Sequence, residues 1–152
     1  MVNEQLAGVR LIAERLFSAL RRRDARAAAA CYSDDATFSA PVVGDVEGRD
    51  IAAFWKAIFA ATRNSSLKFV IVDVGLTAAK VEGVAAYTFV SSGRSVISPF
   101  SSRLDIKDQL IVRHDDAFDT WHWAQMAYGR EGLMFGWSKA WLRRIGDGIV
   151  AK

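Results

Sequence analysis

The sequence predicts an α+β fold: helices first, then a strongly curved, mainly antiparallel sheet wrapped on them. Three observations predict it. Apolar residues recur every three to four positions in the two long segments of the first 62 residues, the spacing of amphipathic helices. From Ser66 the period falls to two, and β-branched and aromatic residues dominate. The period-two segments are joined by connections too short for crossover helices, which makes neighbouring strands antiparallel. Helices that precede a strongly bent sheet pack into its concavity.

In order along the chain, residues 4–21 place Leu6, Val9, Ile12, Ala13, Leu16, Phe17 and Leu20 on one helical face. Asp24 is the N-cap of a short second helix on the alanine run 25–30, ending near Tyr32 and stopped by Asp34 and Asp35. Residues 36–40 alternate as a brief strand closed by Pro41, which cannot donate to a ladder. Gly44 and Gly48 bracket a turn, and a third helix over 49–62 carries Ile51, Phe54, Trp55, Ile58 and Phe59 on its apolar side. Four strands follow at 67–74, 81–90, 95–105 and 110–119. Asp119 is placed to cap the next helix, and tryptophan-rich helical segments then follow, broken at Gly129 and Gly132. No repeat or low-complexity linker divides residues 1–152, so the reading is one domain, with a core over about 5–120 and a helical tail over about 121–146.

Bulk properties exclude several classes. With 51% hydrophobic and 24% charged residues, the chain has the balance of a globular protein rather than a disordered one. A net charge of +3 is too small to argue for nucleic acid unless it clusters. Its two clusters, Arg21-Arg22-Arg23 and Arg143-Arg144, fall near predicted helix ends, where cations favour the dipole. Cys31 is the lone cysteine, so no intrachain disulfide forms, and it reads as a small buried hydrophobe. His114 and His122 are eight apart, which is not metal-ligand spacing; neither a metal nor another cofactor is expected. Charges interrupt the N-terminal segment, and no run approaches the ~18 apolar residues of a membrane span. Cytoplasmic localisation is the expectation.

The segment 111–119 carries the most information. Alternation along a strand puts His114 and Asp116 on one face, with Val112 and Phe118 as apolar neighbours. Ionisable groups on such a face either form a site or cost stability. At ~3.3 Å per residue the two are about 6.6 Å apart along the strand, and bonding to each other or to a neighbouring helix is the structural alternative. Residues 95–105 and 110–119 are expected to form a hairpin through 106–109. Leu104 then opposes Leu110, Phe100 opposes His114 and Ser98 opposes Asp116, with even-numbered residues lining the concave side.

Four stretches in this order resemble one family. They are Asp24 closing helix one, Tyr32-Ser33-Asp34-Asp35-Ala36-Thr37-Phe38, Gly48-Arg49-Asp50-Ile51 opening helix three, and Val112 to Asp119. Together they resemble the nuclear-transport-factor-2-like superfamily in its SnoaL-like and ketosteroid isomerase-related branch. The resemblance implies a cone-shaped α+β barrel with an apolar pocket, often dimeric. It does not imply steroid isomerisation. The carboxylate that reaction needs before the first-strand proline falls at Ala40, its tyrosine at Leu16, and its third acid near Phe100. Limonene epoxide hydrolase matches no better: its first-strand tyrosine and asparagine fall at Phe38 and Ala40, and only its late-strand aspartate has a counterpart, Asp116. SnoaL-like cyclases also use a late-strand acid, similar to the His-x-Asp arrangement here.

The expected function is therefore binding of a small apolar or aromatic ligand in the barrel pocket. If the chain is an enzyme, it is a cyclase, isomerase or lyase in which Asp116 moves a proton and His114 is its polar partner. Tyr32, Phe38, Trp55, Ser98, Phe100 and Phe118 are the expected ligand contacts. The alternative is a non-catalytic ligand-binding or protein-interaction domain of the same fold. Four of the five tryptophans, Trp121, Trp123, Trp137 and Trp141, fall in the tail, and Trp137 and Trp141 are four apart, placed to share a helix face. The tail is expected to cover the pocket mouth or a homodimer seam; an interfacial membrane helix is the rival, since Trp with Lys139, Arg143 and Arg144 suits that boundary.

Overall fold

The computed structural model describes residues 1–150. Helix α1 (Val2–Arg21) buries Val9, Ile12, Ala13, Leu16 and Phe17, the face the periodicity predicts. Asp24 caps α2 (Ala25–Ala29) by accepting from the Ala27 N–H at 2.9 Å. Strand β1 (Tyr32–Ala40) starts earlier than expected. Asp34 and Asp35 do not stop a helix but lie in β1, both exposed. Residues 44–47 form a strand rather than a turn, β2 (Gly44–Glu47), whose Val46 pairs with Phe38. A short 3₁₀ turn, Gly48–Asp50, leads into α3 (Ile51–Ala61).

Strands β3 (Thr62–Val74), β4 (Ala78–Phe89), β5 (Arg94–Lys107) and β6 (Leu110–Ala117) complete a sheet in the order β2-β1-β6-β5-β4-β3. The β1–β6 pair is parallel and the other four are antiparallel. The sheet curls around α1 and α3 without closing, with β2 and β3 at its edges. The core between them holds Leu16, Phe17, Phe38, Ile51, Phe54, Trp55, Val81, Leu104 and Ile111.

The β5–β6 hairpin is tighter than predicted. Leu104 pairs with His114 and Ser102 with Asp116, a displacement of four residues on β5, while Lys107 pairs with Leu110 on the other side of a bulge, a displacement of three. An even displacement keeps the faces: Val96, Ser98, Ser102, Leu104 and Ile106 are all buried. The parity fails at one place. A bulge leaves Val112 without a partner between the Ile106–Ile111 and Asp105–Arg113 pairs, so Ile111 is buried and Val112 is not the inward neighbour of His114.

The tail consists of α4 (Thr120–Tyr128), α5 (Arg130–Phe135) and α6 (Lys139–Val150). Asp119 caps α4 through the His122 N–H at 3.0 Å. Gly129 breaks the chain as expected, at φ 62°. Gly132 does not: it lies inside α5, buried against the Ala124 backbone, and the second break comes at Gly136 to Ser138. Trp123, Trp141 and Leu142 join Phe89 and Val96 in a second core. Trp137 precedes α6 and is 73% exposed, so it does not share a buried face with Trp141. No helix among the described residues is long and apolar enough to cross a membrane.

A buried tyrosine–histidine–aspartate chain beside an apolar cavity

The concave side of the sheet and the inner faces of α1 and α3 leave a cavity of about 230 Å³. That is slightly below the usual range for drug-sized ligands and suits a molecule of one or two rings. Of the expected contacts, Phe38, Trp55, Ser98, Phe100, Asp116 and Phe118 line it. Phe17, Phe54 and Phe59 add aromatic wall, and Trp123 and Ile149 bring the tail to its rim. Phe100 lies nearly parallel to Phe17, with centroids 5.9 Å apart. It can lie flat on the sheet because Gly83 beneath it has no side chain; a Cβ there would overlap both the Phe100 ring and the Lys68 carbonyl.

Tyr32 and His114 do not line the cavity. They stand behind Asp116, His114 with no exposed surface and Tyr32 almost none. The parallel pairing of β1 with β6 puts Phe38 beside His114, edge to face with centroids 4.6 Å apart. The Tyr32 hydroxyl meets His114 Nδ1 at 2.7 Å, and His114 Nε2 meets Asp116 Oδ1 at 2.6 Å. Ser102, directly across from Asp116, donates its hydroxyl to the same carboxylate oxygen. Ser98, expected in that place, lies four residues along β5, opposite Ala85.

This chain assigns the protons. Burial pushes the Tyr32 phenol well above the ordinary tyrosine range, the Asp116 charge adds to the rise, and the Trp55 indole N–H opposes it. Tyr32 is therefore a hydroxyl, and to a neutral imidazole it donates at Nδ1 while Nε2–H donates to Asp116. Both donors to Asp116 fall on Oδ1, and Oδ2 has no partner among the described residues. The carboxylate is thus anchored by one oxygen at the cavity wall with the other unengaged. Trp55 Nε1, although near enough to influence Tyr32, makes no hydrogen bond of acceptable geometry among the described residues.

Ser102 and Tyr87 are among the side chains of this region that escaped the sequence reading. Ser102 carries a detectable signal, the alternation that puts it on the face of Ser98 and Leu104, but its partner depends on a register that alternation cannot fix. Tyr87 lines the cavity from β4, and its oxygen accepts the Trp123 indole N–H at 2.8 Å. Burial raises its phenol as well, so Tyr87 keeps its own proton for donation. No group of three or more metal-ligating side chains occurs among the described residues.

The SnoaL-like domain family matches residues 13–114. No protein of curated function is matched by the sequence. Among solved structures, a provisionally named polyketide cyclase from Silicibacter sp. TM1040 is similar at TM-score 0.72 and 22% identity, over 78% of this chain and 94% of that one. A provisionally named polyketide cyclase from Xanthomonas campestris pv. campestris is similar at TM-score 0.74 and 16% identity, over 81% and 98%. A protein with a ketosteroid isomerase-like fold from Catenulispora acidiphila, in complex with trimethylamine, is similar at TM-score 0.69 and 14% identity, over 76% and 91%. At these identities the likeness is one of fold.

Proposed function

The chain belongs to the SnoaL-like domain family, and from that premise we propose that it is a cyclase- or isomerase-like enzyme that moves a proton on a small apolar or aromatic carbonyl compound. The observation that carries the reading is the half-engaged carboxylate of Asp116, with Oδ1 held by His114 and Ser102 and Oδ2 unpartnered at the wall of an apolar cavity. Abstraction of a carbon-bound proton requires a base within reach of the ligand, and a carboxylate oxygen that no protein donor occupies supplies one. Asp116 takes the proton from the carbon next to the carbonyl and returns it at the new position. His114 does not touch the ligand; it positions Asp116, and Tyr32 fixes the imidazole tautomer in turn. Phe38, Trp55, Phe100 and Phe118 hold the ring, and Ser98 is a polar contact for it.

A non-catalytic ligand-binding role is the second reading. It is favoured by Leu16, Ala40 and Phe100, which stand where the related isomerases place polar catalytic groups. Proton exchange separates the two. A panel of aromatic ring ketones is incubated with the protein in heavy water, and α-deuteration is followed by NMR. Enzymatic exchange that falls by about 100-fold or more in Asp116→Asn supports the base. Exchange that survives in Asp116→Asn overturns that assignment, and no exchange above buffer with any ketone, despite binding, favours the second reading.

The expected partner is a second copy of the chain. The outer sheet face supports this with exposed Val70, Val72, Val84 and Ile97 on three adjacent strands, set among Lys68 and Glu82 of opposite charge, a surface that a twofold axis can pair with itself.

A further inference from the structure

The cavity carries two arginines that proton transfer at Asp116 does not use. Arg21 and Arg23 both line it, and Asp116 is the only acidic residue of that lining. No carboxylate lies within ion-pair distance of either arginine among the described residues.

Their positions are built rather than incidental. Arg23 is not at the helix end as a dipole partner. It follows the cap of α1 at φ 58°, in a turn closed by Arg23 N–H to the Leu20 carbonyl and Asp24 N–H to the Ala19 carbonyl. A non-glycine residue in this left-handed conformation costs about 1–2 kcal/mol. Its guanidinium offsets that cost by donating to Thr62 Oγ1 at 3.1 Å, Ser65 Oγ at 2.8 Å, the Thr62 carbonyl at 2.8 Å and the Phe59 carbonyl. These four bonds occupy both terminal nitrogens, so Arg23 is a fixed positive charge over the Phe59 ring. Arg21 is held differently. Its Nε donates to the Leu67 carbonyl at 3.1 Å and its guanidinium lies 4.7 Å above the Phe69 ring. Its two terminal nitrogens bond to no described residue and remain an open fork.

The two charges lie far from Asp116. Leu67, which anchors Arg21, pairs with Ala85, and Ala85 with Ser98. Asp116 belongs to a different row, Ile71–Val81–Ser102–Asp116. The anchor is three strands and four residues away over a sheet that curls around the cavity, so the two charges stand at the end of the cavity away from Asp116.

We propose that Arg21 and Arg23 form a carboxylate subsite, so that the ligand is an apolar ring compound carrying an anionic group at the end remote from Asp116. An open arginine fork matches a carboxylate bidentately, and the fixed Arg23 charge adds to the field without needing a free N–H. A ligand anion supplies the counter-charge that neither arginine finds within ion-pair distance among the described residues. The inference rests on the cavity being the ligand site and names the class of molecule that enters it.

The test titrates the full chain with 2-naphthoate and with 2-naphthamide, its neutral isostere, following emission from the cavity tryptophans Trp55 and Trp123. In wild type, 2-naphthoate binds about tenfold or more tighter than the amide. Arg21→Gln brings the two within about threefold of each other while leaving amide affinity unchanged. Arg23→Gly, which relieves the left-handed backbone, lowers the preference as well, with folding checked by circular dichroism. Arg22→Gln removes the same charge from a side chain outside the lining and leaves the preference intact. Equal affinity for the two probes in wild type overturns the subsite while leaving the cavity as a ligand site. Loss of preference in Arg22→Gln equal to that in Arg21→Gln also overturns it, because the effect is then only net charge. Binding of neither probe overturns both the subsite and the cavity reading.

Discussion

His114 and Asp116, two residues apart on one face of β6, are joined by a 2.6 Å bond from Nε2 to Oδ1. Their backbones are separated by about 6.6 Å, so the two side chains lean toward each other along the strand. The lean is imposed from both ends. Tyr32 holds the far side of the imidazole, and Ser102 on the neighbouring strand holds the same carboxylate oxygen. The result is a line of polar groups that ends on Asp116 at the cavity wall, with Oδ2 unpartnered among the described residues.

Tyr32→Phe removes the donor to Nδ1 and leaves a buried nitrogen unpaired. We expect a stability loss of about 1–3 kcal/mol, read as a lower thermal midpoint. Nitrogen-15 NMR of the imidazole should report loss of the single Nε2–H tautomer. A spectrum unchanged from wild type contradicts the positioning role of Tyr32.

Alkaline pH should unfold the protein through its phenols. Tyr32, Tyr87 and Tyr128 all have raised pKa values with burial as the largest cause. The folded state keeps protons that the unfolded chain releases, so stability is intact below about pH 10 and falls as pH rises beyond it toward the folded-state values. Near-ultraviolet phenolate absorbance should lag behind that of free tyrosine and rise with unfolding. In Asp116→Asn, which removes a charge that raises Tyr32, the Tyr32 phenol should titrate at lower pH than in wild type.

Gly146→Ala should undock the last helix. A Cβ at Gly146 would overlap the carbonyl of Val42, which is held at φ 75° in a three-residue turn closed by Val43 N–H to the Pro41 carbonyl. Alanine gains about 1 kcal/mol of helix propensity over glycine, but a backbone clash costs about 1–3 kcal/mol. The expected net effect is destabilisation, with weaker ligand binding because Ile149 withdraws from the cavity rim. A raised thermal midpoint would show that α6 does not rest on Val42.

Deletion of residues 132–152 should remove Trp141 and Leu142 from the second core and uncover Phe89, Val96 and Trp123. The truncated protein should bind a hydrophobic dye and melt at lower temperature. An unchanged midpoint and unchanged solubility would mean the tail contributes no packing.

Ile97→Lys, at the β5 end of the exposed apolar sheet surface, should halve the mass seen by sedimentation if the homodimer forms through that face. A mass that stays at two chains places the seam elsewhere, and a single-chain mass for wild type rejects the dimer.

The sequence by itself determined the fold class, the buried face of α1, the caps at Asp24 and Asp119, and the inward direction of His114 and Asp116. Each follows from local chemistry: helical or strand period, a side-chain oxygen near free backbone N–H groups, or the twofold alternation of a pleat. Strand β2 was illegible because four residues that begin with one glycine and are followed by another show no period, and they are a strand only because β1 offers an edge. Register was illegible for a related reason. A displacement of four residues leaves every side chain on the same face, so alternation cannot tell Ser98 from Ser102 as the partner of Asp116. The bulge at Val112 is invisible for a different reason: Ile111 and Val112 are adjacent β-branched residues that suit either face, and only the pairing shows which one is skipped. Tertiary structure also decided that Tyr32 stands behind His114 rather than in the cavity wall, because a parallel β1–β6 pair joins residues 82 apart in sequence. Side-chain direction is a property of the residue and its neighbours, whereas the identity of a partner depends on distant chain packing, which only the folded molecule fixes.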